Sequence, residues 1–146
     1  MDRMDPATSP VTDPTTWQLA ARVVAMPADT NAFGDIFGGW LLSQADLAGG
    51  TIAIQAAQGR VATVAVKDFQ FLAPVLVGDL VEVFARLIRA GNTSMTIEIQ
   101  IWAQREPDPH SRHQVAAASF TYVAVDEEGR PRPVPPLACE PRVVEV

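Results

Sequence analysis

Cysteine, histidine and lysine are scarce in this chain. A single cysteine, Cys139, and two histidines, His110 and His113, are all it has of the soft metal ligands. One thiol cannot close an intrachain disulfide or build a Cys-based cluster. The histidines share a polar loop near Pro107 and Pro109, with no ligand-forming partners around them, so neither a metal nor a cofactor is expected. Lys67 is the only lysine, and eleven Lys and Arg against seventeen Asp and Glu leave a formal net charge of −6. That balance excludes a general nucleic-acid binder, which needs a broad basic face. It leaves room for a local basic patch that holds a small anion. The opening residues Met1 to Pro6 contain no apolar run of the signal-peptide kind, and the expected compartment is the cytoplasm.

What the chain does have is 146 residues, 48% of them hydrophobic and 19% charged, which is one soluble domain with one core. Residues 1–15 are rich in Pro, Asp, Ser and Thr and read as a flexible N-terminal arm. From 127 to 146 a Pro-rich tail follows, which can form neither a helix nor a central strand. The folded body is then 16–126, without internal repeats.

Within the body the hydrophobic period changes in order. Trp17 to Ala25 reads as a strand, and a polar, glycine-containing loop spans Ala28 to Asp35. The unbroken apolar stretch Ile36 to Gln58 predicts one long helix that begins near Phe37 or Gly38 and stops at Gly59-Arg60. Four β-rich runs succeed it: Val61 to Phe71, Leu80 to Ala90, Thr93 to Gln104 and Gln114 to Val125. In the third, Met95, Ile97, Ile99 and Ile101 alternate with polar residues. The pattern is α+β. A helix apolar on all sides must be covered on most of them, and a curved antiparallel sheet wrapped around it provides the cover. A membrane span is excluded because Asp46 sits mid-stretch, where a carboxylate costs about 2.5–3.5 kcal/mol.

Asp46 is the only ionisable residue between Asp35 and Arg60. A lone carboxylate in an apolar helix needs specific compensation, either structural partners or a catalytic role. Its helical neighbours include Gly39, Gly49, Gly50 and Ala53, small residues that let a substrate approach. The adjacent pair Gly38-Gly39 at the helix start is either a tight turn or a pair of open N–H donors suited to an oxyanion. Asp35 has the position of a helix cap. Thr63 is either a plain β-former or a partner of Asp46.

The run Met26-Pro27-Ala28-Asp29-Thr30-Asn31, then Gly34-Asp35-Ile36-Phe37-Gly38-Gly39-Trp40 and Ser43-Gln44-Ala45-Asp46, closely resembles the YciA-type acyl-CoA thioesterases of the hotdog fold. Gly59-Arg60-Val61, Thr63-Val64, Val77-Gly78-Asp79 and Tyr122-Val123-Ala124-Val125-Asp126 extend the likeness from about Val24 to Pro136. The resemblance implies a helix wrapped by a curved sheet and a homodimer with the two sheets joined edge to edge. It also implies two active sites at the interface and, often, assembly into trimers of dimers. It makes Asp46 the catalytic carboxylate, acting on water or directly on the thioester, with Gly38 and Gly39 amides as the oxyanion hole and Thr63 beside Asp46. The residue at Asp35, often Asn in animal relatives, faces the site from the other subunit. Asn31, Phe33 and Phe37 border the substrate, and Phe33 departs from the polar residue that close relatives carry.

Coenzyme A carries phosphates, for which Arg60, Lys67, Arg86, Arg89 and Arg105 are the available cations. Arg60, Lys67 and above all Arg89, near the Gly91-Asn92 turn, are the candidates. A hotdog hydratase would need a catalytic histidine, and His110 and His113 are badly placed. The reading outside enzymology is an acyl-CoA-binding module that uses the same pocket without turnover.

Overall fold

The computed structural model describes residues 13–137. Cys139 and the outer parts of the arm and tail (1–12 and 138–146) lie outside the described residues. The elements run β1 (Gln18–Val24), α1 (Gly38–Ala57), β2 (Val61–Phe71), β3 (Leu80–Ala90), β4 (Ser94–Gln104) and β5 (His113–Ala124), with short 3-10 turns at Pro27–Asp29 and Pro109–Ser111. All five strands form one antiparallel sheet in the order β1-β3-β4-β5-β2. Irregularities in register between Leu19 and Ala21, Thr63 and Ala65, Lys67 and Gln70, and Leu87 and Arg89 curve the strands around α1. The sheet remains open at β1 and β2.

The concave face is built by period-two alternation. Met95, Ile97, Ile99 and Ile101 on β4 are buried to within 1% exposure, and Ala118, Phe120, Tyr122 and Ala124 continue the layer on β5. Each fully buried aliphatic side chain of this kind contributes about 1.5–3 kcal/mol relative to exposure. Against this face α1 places Trp40, Leu41, Ala45, Ala48, Ile52 and Ala56. Among the described residues no helix is long and apolar enough to cross a membrane.

The expected covering of the helix is half complete. Leu47 is 67% exposed and Ile54 48%, on the flank the sheet does not reach. Edge strand β2 likewise leaves Val64 and Val66 in the open. One curved sheet can wrap only one flank of a cylinder, which leaves these apolar side chains in the open. The helix ends with Gln58 in the left-handed region at φ 50°, one residue before the glycine expected to stop it, and Gly59 N–H donates to Ile54 O.

Both termini of the body are anchored where they are described. Pro14 and Thr15 are buried, and Leu87 N–H donates to Pro14 O at 2.7 Å, so the described end of the arm, from residue 13, packs on β3. In the tail, Arg132 donates to Ala57 O and to Val125 O, both at 3.0 Å, and Val134 N–H donates to Asn92 O. A cation on an open helix carbonyl satisfies one of the acceptors every helix C-terminus leaves unpaired.

Candidate active site

Asp46 lies mid-helix at the border between the covered and open flanks of α1, half-buried where full burial was expected. The boundary of the sheet causes this: Thr63 of β2 and Tyr122 of β5 reach the side chain, while the next residue, Leu47, already lies on the open flank. Thr63 Oγ1 on β2 donates to Asp46 Oδ1 at 2.7 Å. The Tyr122 hydroxyl on β5 donates to the Asp46 carbonyl oxygen at 2.8 Å and lies 3.2 Å from Oδ1. Among the described residues Oδ2 has no hydrogen-bond partner. Burial pushes the Tyr122 phenol well above its ordinary pKa, and the charge and hydrogen bond of Asp46 add to the effect.

Tyr122 is the site residue that sequence reasoning missed. It shares the inward phase of Phe120, against which its ring stacks at 6.1 Å, so pattern alone marks it as core. A faint signal was available at Gly49, where a Cβ would stand 2.6 Å from the Tyr122 hydroxyl.

The loop before the helix is a closed turn. Thr30 and Ile36 form an antiparallel bridge, and Asn31 N–H donates to Asp35 O at 2.8 Å. Asn31 Oδ1 accepts from Phe33 N–H and Asp35 N–H, so this side chain frames the loop. Gly34 takes the left-handed φ of +86° the turn requires. Asp35 is exposed and makes no cap: the N-cap is Phe37, whose N–H donates to Asp29 O. Phe33 projects from the tip at 90% exposure.

Among the described residues the N–H groups of Gly38 and Gly39 have no partner, whereas Trp40 N–H is bonded to Phe37 O. A Cβ on Gly38 would meet the Phe71 ring at 3.0 Å, so a side chain there would close the approach to these amides. Beside them runs an apolar groove of about 430 Å³ lined by Ile36, Leu41, Phe71, Leu72 and Val75. Eight residues separate Gly38 from Asp46, about 12 Å along a helix. One carbonyl group cannot lie against both in the same chain.

The five cations considered for the phosphates, Arg60, Lys67, Arg86, Arg89 and Arg105, are not gathered in the protomer. Arg60 donates to Glu127 O at 3.0 Å, Arg86 pairs with Glu98 and Arg105 with Asp79. Lys67 and Arg89 are exposed, but β5 and β4 lie between their strands, a distance of about 14 Å. A larger concavity of about 550 Å³, bordered by Arg86, Glu98 and Ser119, opens on the convex face of the sheet, away from Asp46. Among the described residues no three His, Cys, Asp or Glu side chains come together as metal ligands.

A family profile described as the thioesterase superfamily matches residues 33–109. The acyl-CoA thioester hydrolase YciA of Escherichia coli is 51% identical over 120 residues, 80% of this chain and 90% of the relative. A hexameric thioesterase from Yersinia pestis superposes with a TM-score of 0.77 at 52% identity, covering 81% of this chain and 95% of that one. A hexameric broad-specificity acyl-coenzyme A thioesterase, solved as an aspartate-to-alanine mutant enzyme, superposes with a TM-score of 0.79 at 41% identity, covering 84% and 90%. With one α-helix, among the described residues, held in an open, curved antiparallel sheet, the chain belongs to the thioesterase superfamily of hotdog fold and, within it, to the YciA-type acyl-CoA thioester hydrolases.

Proposed function

We propose that the protein hydrolyses acyl-CoA to a free carboxylic acid and coenzyme A at sites built between two copies of the chain. The observation that carries this reading is the Asp46 carboxylate, with Oδ1 held by Thr63 at 2.7 Å and Oδ2 unpartnered among the described residues. Oδ2 takes a proton from water, and the water oxygen adds to the thioester carbonyl carbon. The oxyanion rests on the Gly38 and Gly39 amides. The C–S bond then breaks, and the coenzyme A thiolate leaves and recovers the proton from Asp46. A thioester is electrophilic enough for this without a Ser-His pair. Direct attack by Oδ2 on the carbonyl uses the same geometry.

The 12 Å between Gly38 and Asp46 supports a site in which one chain lends the carboxylate and its partner lends the amides. The loop carrying Asn31, Phe33, Asp35 and Phe37 then flanks the acyl group from the partner's side. Lys67 and Arg89, exposed on separate strands, become neighbours of the coenzyme A phosphates only across subunits, and Arg60 is half committed to Glu127 O. The open apolar flank of α1 and the hexameric state of the relatives support a trimer of dimers.

The test is release of free thiol from a panel of acyl-CoAs of increasing chain length. Wild-type protein turns over part of the panel, and Asp46→Asn loses about 10²–10⁴ of that rate while keeping its oligomeric state. Full activity in Asp46→Asn overturns the mechanism. Calorimetric binding across the panel with no thiol release would make the protein a binding module instead.

A further inference from the structure

The hydrolysis scheme makes no use of Tyr122, although this side chain touches Asp46 more intimately than any aromatic packing requires. Its ring is 1% exposed. In the register of the sheet Tyr122 stands directly opposite Thr63, so β5 and β2 deliver two hydroxyls side by side onto the same turn of α1. Both reach Asp46 Oδ1, Thr63 at 2.7 Å and Tyr122 at 3.2 Å.

The helix is shaped to admit the phenol. At Gly49 a Cβ would lie 2.6 Å from the hydroxyl, a distance no real Cβ tolerates. Glycine in a helix interior costs about 1 kcal/mol against alanine, and this helix accepts that cost at the position facing the hydroxyl. Core packing alone would be served as well by a phenylalanine over an alanine.

We propose that Tyr122 is a positioning residue for Asp46: with Thr63 it occupies Oδ1 and leaves Oδ2 as the single oxygen presented to the reacting water. The inference rests on the hydrolytic reading above and assigns a role to a side chain that reading leaves idle. The phenol has one proton and two acceptors within reach, the Asp46 carbonyl oxygen at 2.8 Å and Oδ1 at 3.2 Å. While the carboxylate is charged, the proton is drawn toward Oδ1. Once Oδ2 has taken a proton from water, the phenol proton turns back to the carbonyl. Neither charge state then leaves a buried polar group unsatisfied, which would otherwise oppose the proton transfer at each turnover.

The experiment compares Tyr122→Phe, Asp46→Asn and the double variant in steady-state thiol release. Tyr122→Phe keeps the ring, and the expected result is a fall in kcat of about tenfold with KM within about twofold of wild type. In the Asp46→Asn background the same change has no further effect, because the group it positions is gone. An unchanged kcat in Tyr122→Phe, with Asp46→Asn inactive, overturns the positioning role and leaves the hydrolytic reading standing; a fully active Asp46→Asn overturns both. Tyr122 is the only tyrosine in the chain, so biosynthetic replacement by a ring-fluorinated tyrosine labels this position alone without removing the hydroxyl. Its fluorine resonance is expected to move on Asp46→Asn; an unmoved resonance overturns the proposal even if Tyr122→Phe fails to fold.

Discussion

Arg105 grips Asp79 at two points, Nε to Oδ1 and Nη2 to Oδ2, each at 2.9 Å. The carboxylate is fully buried and also accepts from Leu76 N–H, while Asp79 O receives Ala25 N–H. One residue, Asp79, thus joins the end of β1 through its carbonyl oxygen, and the turn before β3 and the exit of β4 through its carboxylate. Arg105→Met would strand a buried charge with a single remaining donor. The expected loss is about 3 kcal/mol in urea unfolding, with activity per folded molecule unchanged.

The Tyr122 phenol has a second, thermodynamic readout. Its folded pKa lies above the ordinary tyrosine value of about 10, chiefly through burial. The unfolded chain therefore gives up this proton first as the solution becomes alkaline. The stability tied to the neutral phenol is fully present below about pH 10 and is lost as pH rises beyond it. With one tyrosine in the chain, tyrosinate absorption reports this group alone. Native protein should show no phenolate signal near pH 10, and the signal should appear together with unfolding.

Two adjacent glycines in α1 should respond with opposite signs. A Cβ at Gly49 would meet Tyr122 at 2.6 Å and Ile99 at 3.1 Å, so Gly49→Ala forces a buried ring to shift. The overpacking penalty outweighs the helix propensity gained, and a net loss of about 1–2 kcal/mol is expected in thermal unfolding. At Gly50 the nearest atom is 3.9 Å away, an ordinary contact. Gly50→Ala should stabilise the fold by about 0.5–1 kcal/mol.

Leu47 and Ile54 stand two helical turns apart on the open flank of α1. Leu47→Glu would place a charge at the centre of the face assigned to subunit contact. Sedimentation should show the assembly dissociating, with far-ultraviolet circular dichroism unchanged, because the side chain packs little within its own protomer. Activity should fall with the assembly.

Much of the fold is local information. Glycines and prolines punctuate the chain, and the β-rich runs Val61–Phe71 and Leu80–Ala90 are strands over the bounds read from the sequence. β4 and β5 each start one residue from the expected position, at Ser94 and His113, within the usual fraying of element ends. The strand order is a different kind of information. Nothing near Thr63 or Tyr122 in the chain says that they will stand opposite each other, since that depends on β5 choosing β2 as its outer neighbour. Asp46 is conspicuous as a lone charge in an apolar run, yet how far it is exposed depends on where the sheet stops. The cations were misjudged for the same reason: Arg105 and Arg86 look available until Asp79 and Glu98 are brought to them. Tyr122 hides because a hydrogen-bond partner of Asp46 and a core aromatic obey the same alternation.

If the site is shared as proposed, two differently defective copies of this chain restore part of the activity between them. Under the proposed two-chain site, α1 works as a spacer that assigns its glycine amides to one active site and its Asp46 to another. A chain damaged at Asp46 and a chain damaged at the glycines form a mixed dimer with both lesions in one site and none in the other. Random mixing places half of all dimers in that class, with one of two sites intact, so roughly one quarter of normal capacity returns from two inactive parents. Lesions in the two halves of the helix would then complement one another in part, whereas two lesions in the same half would not.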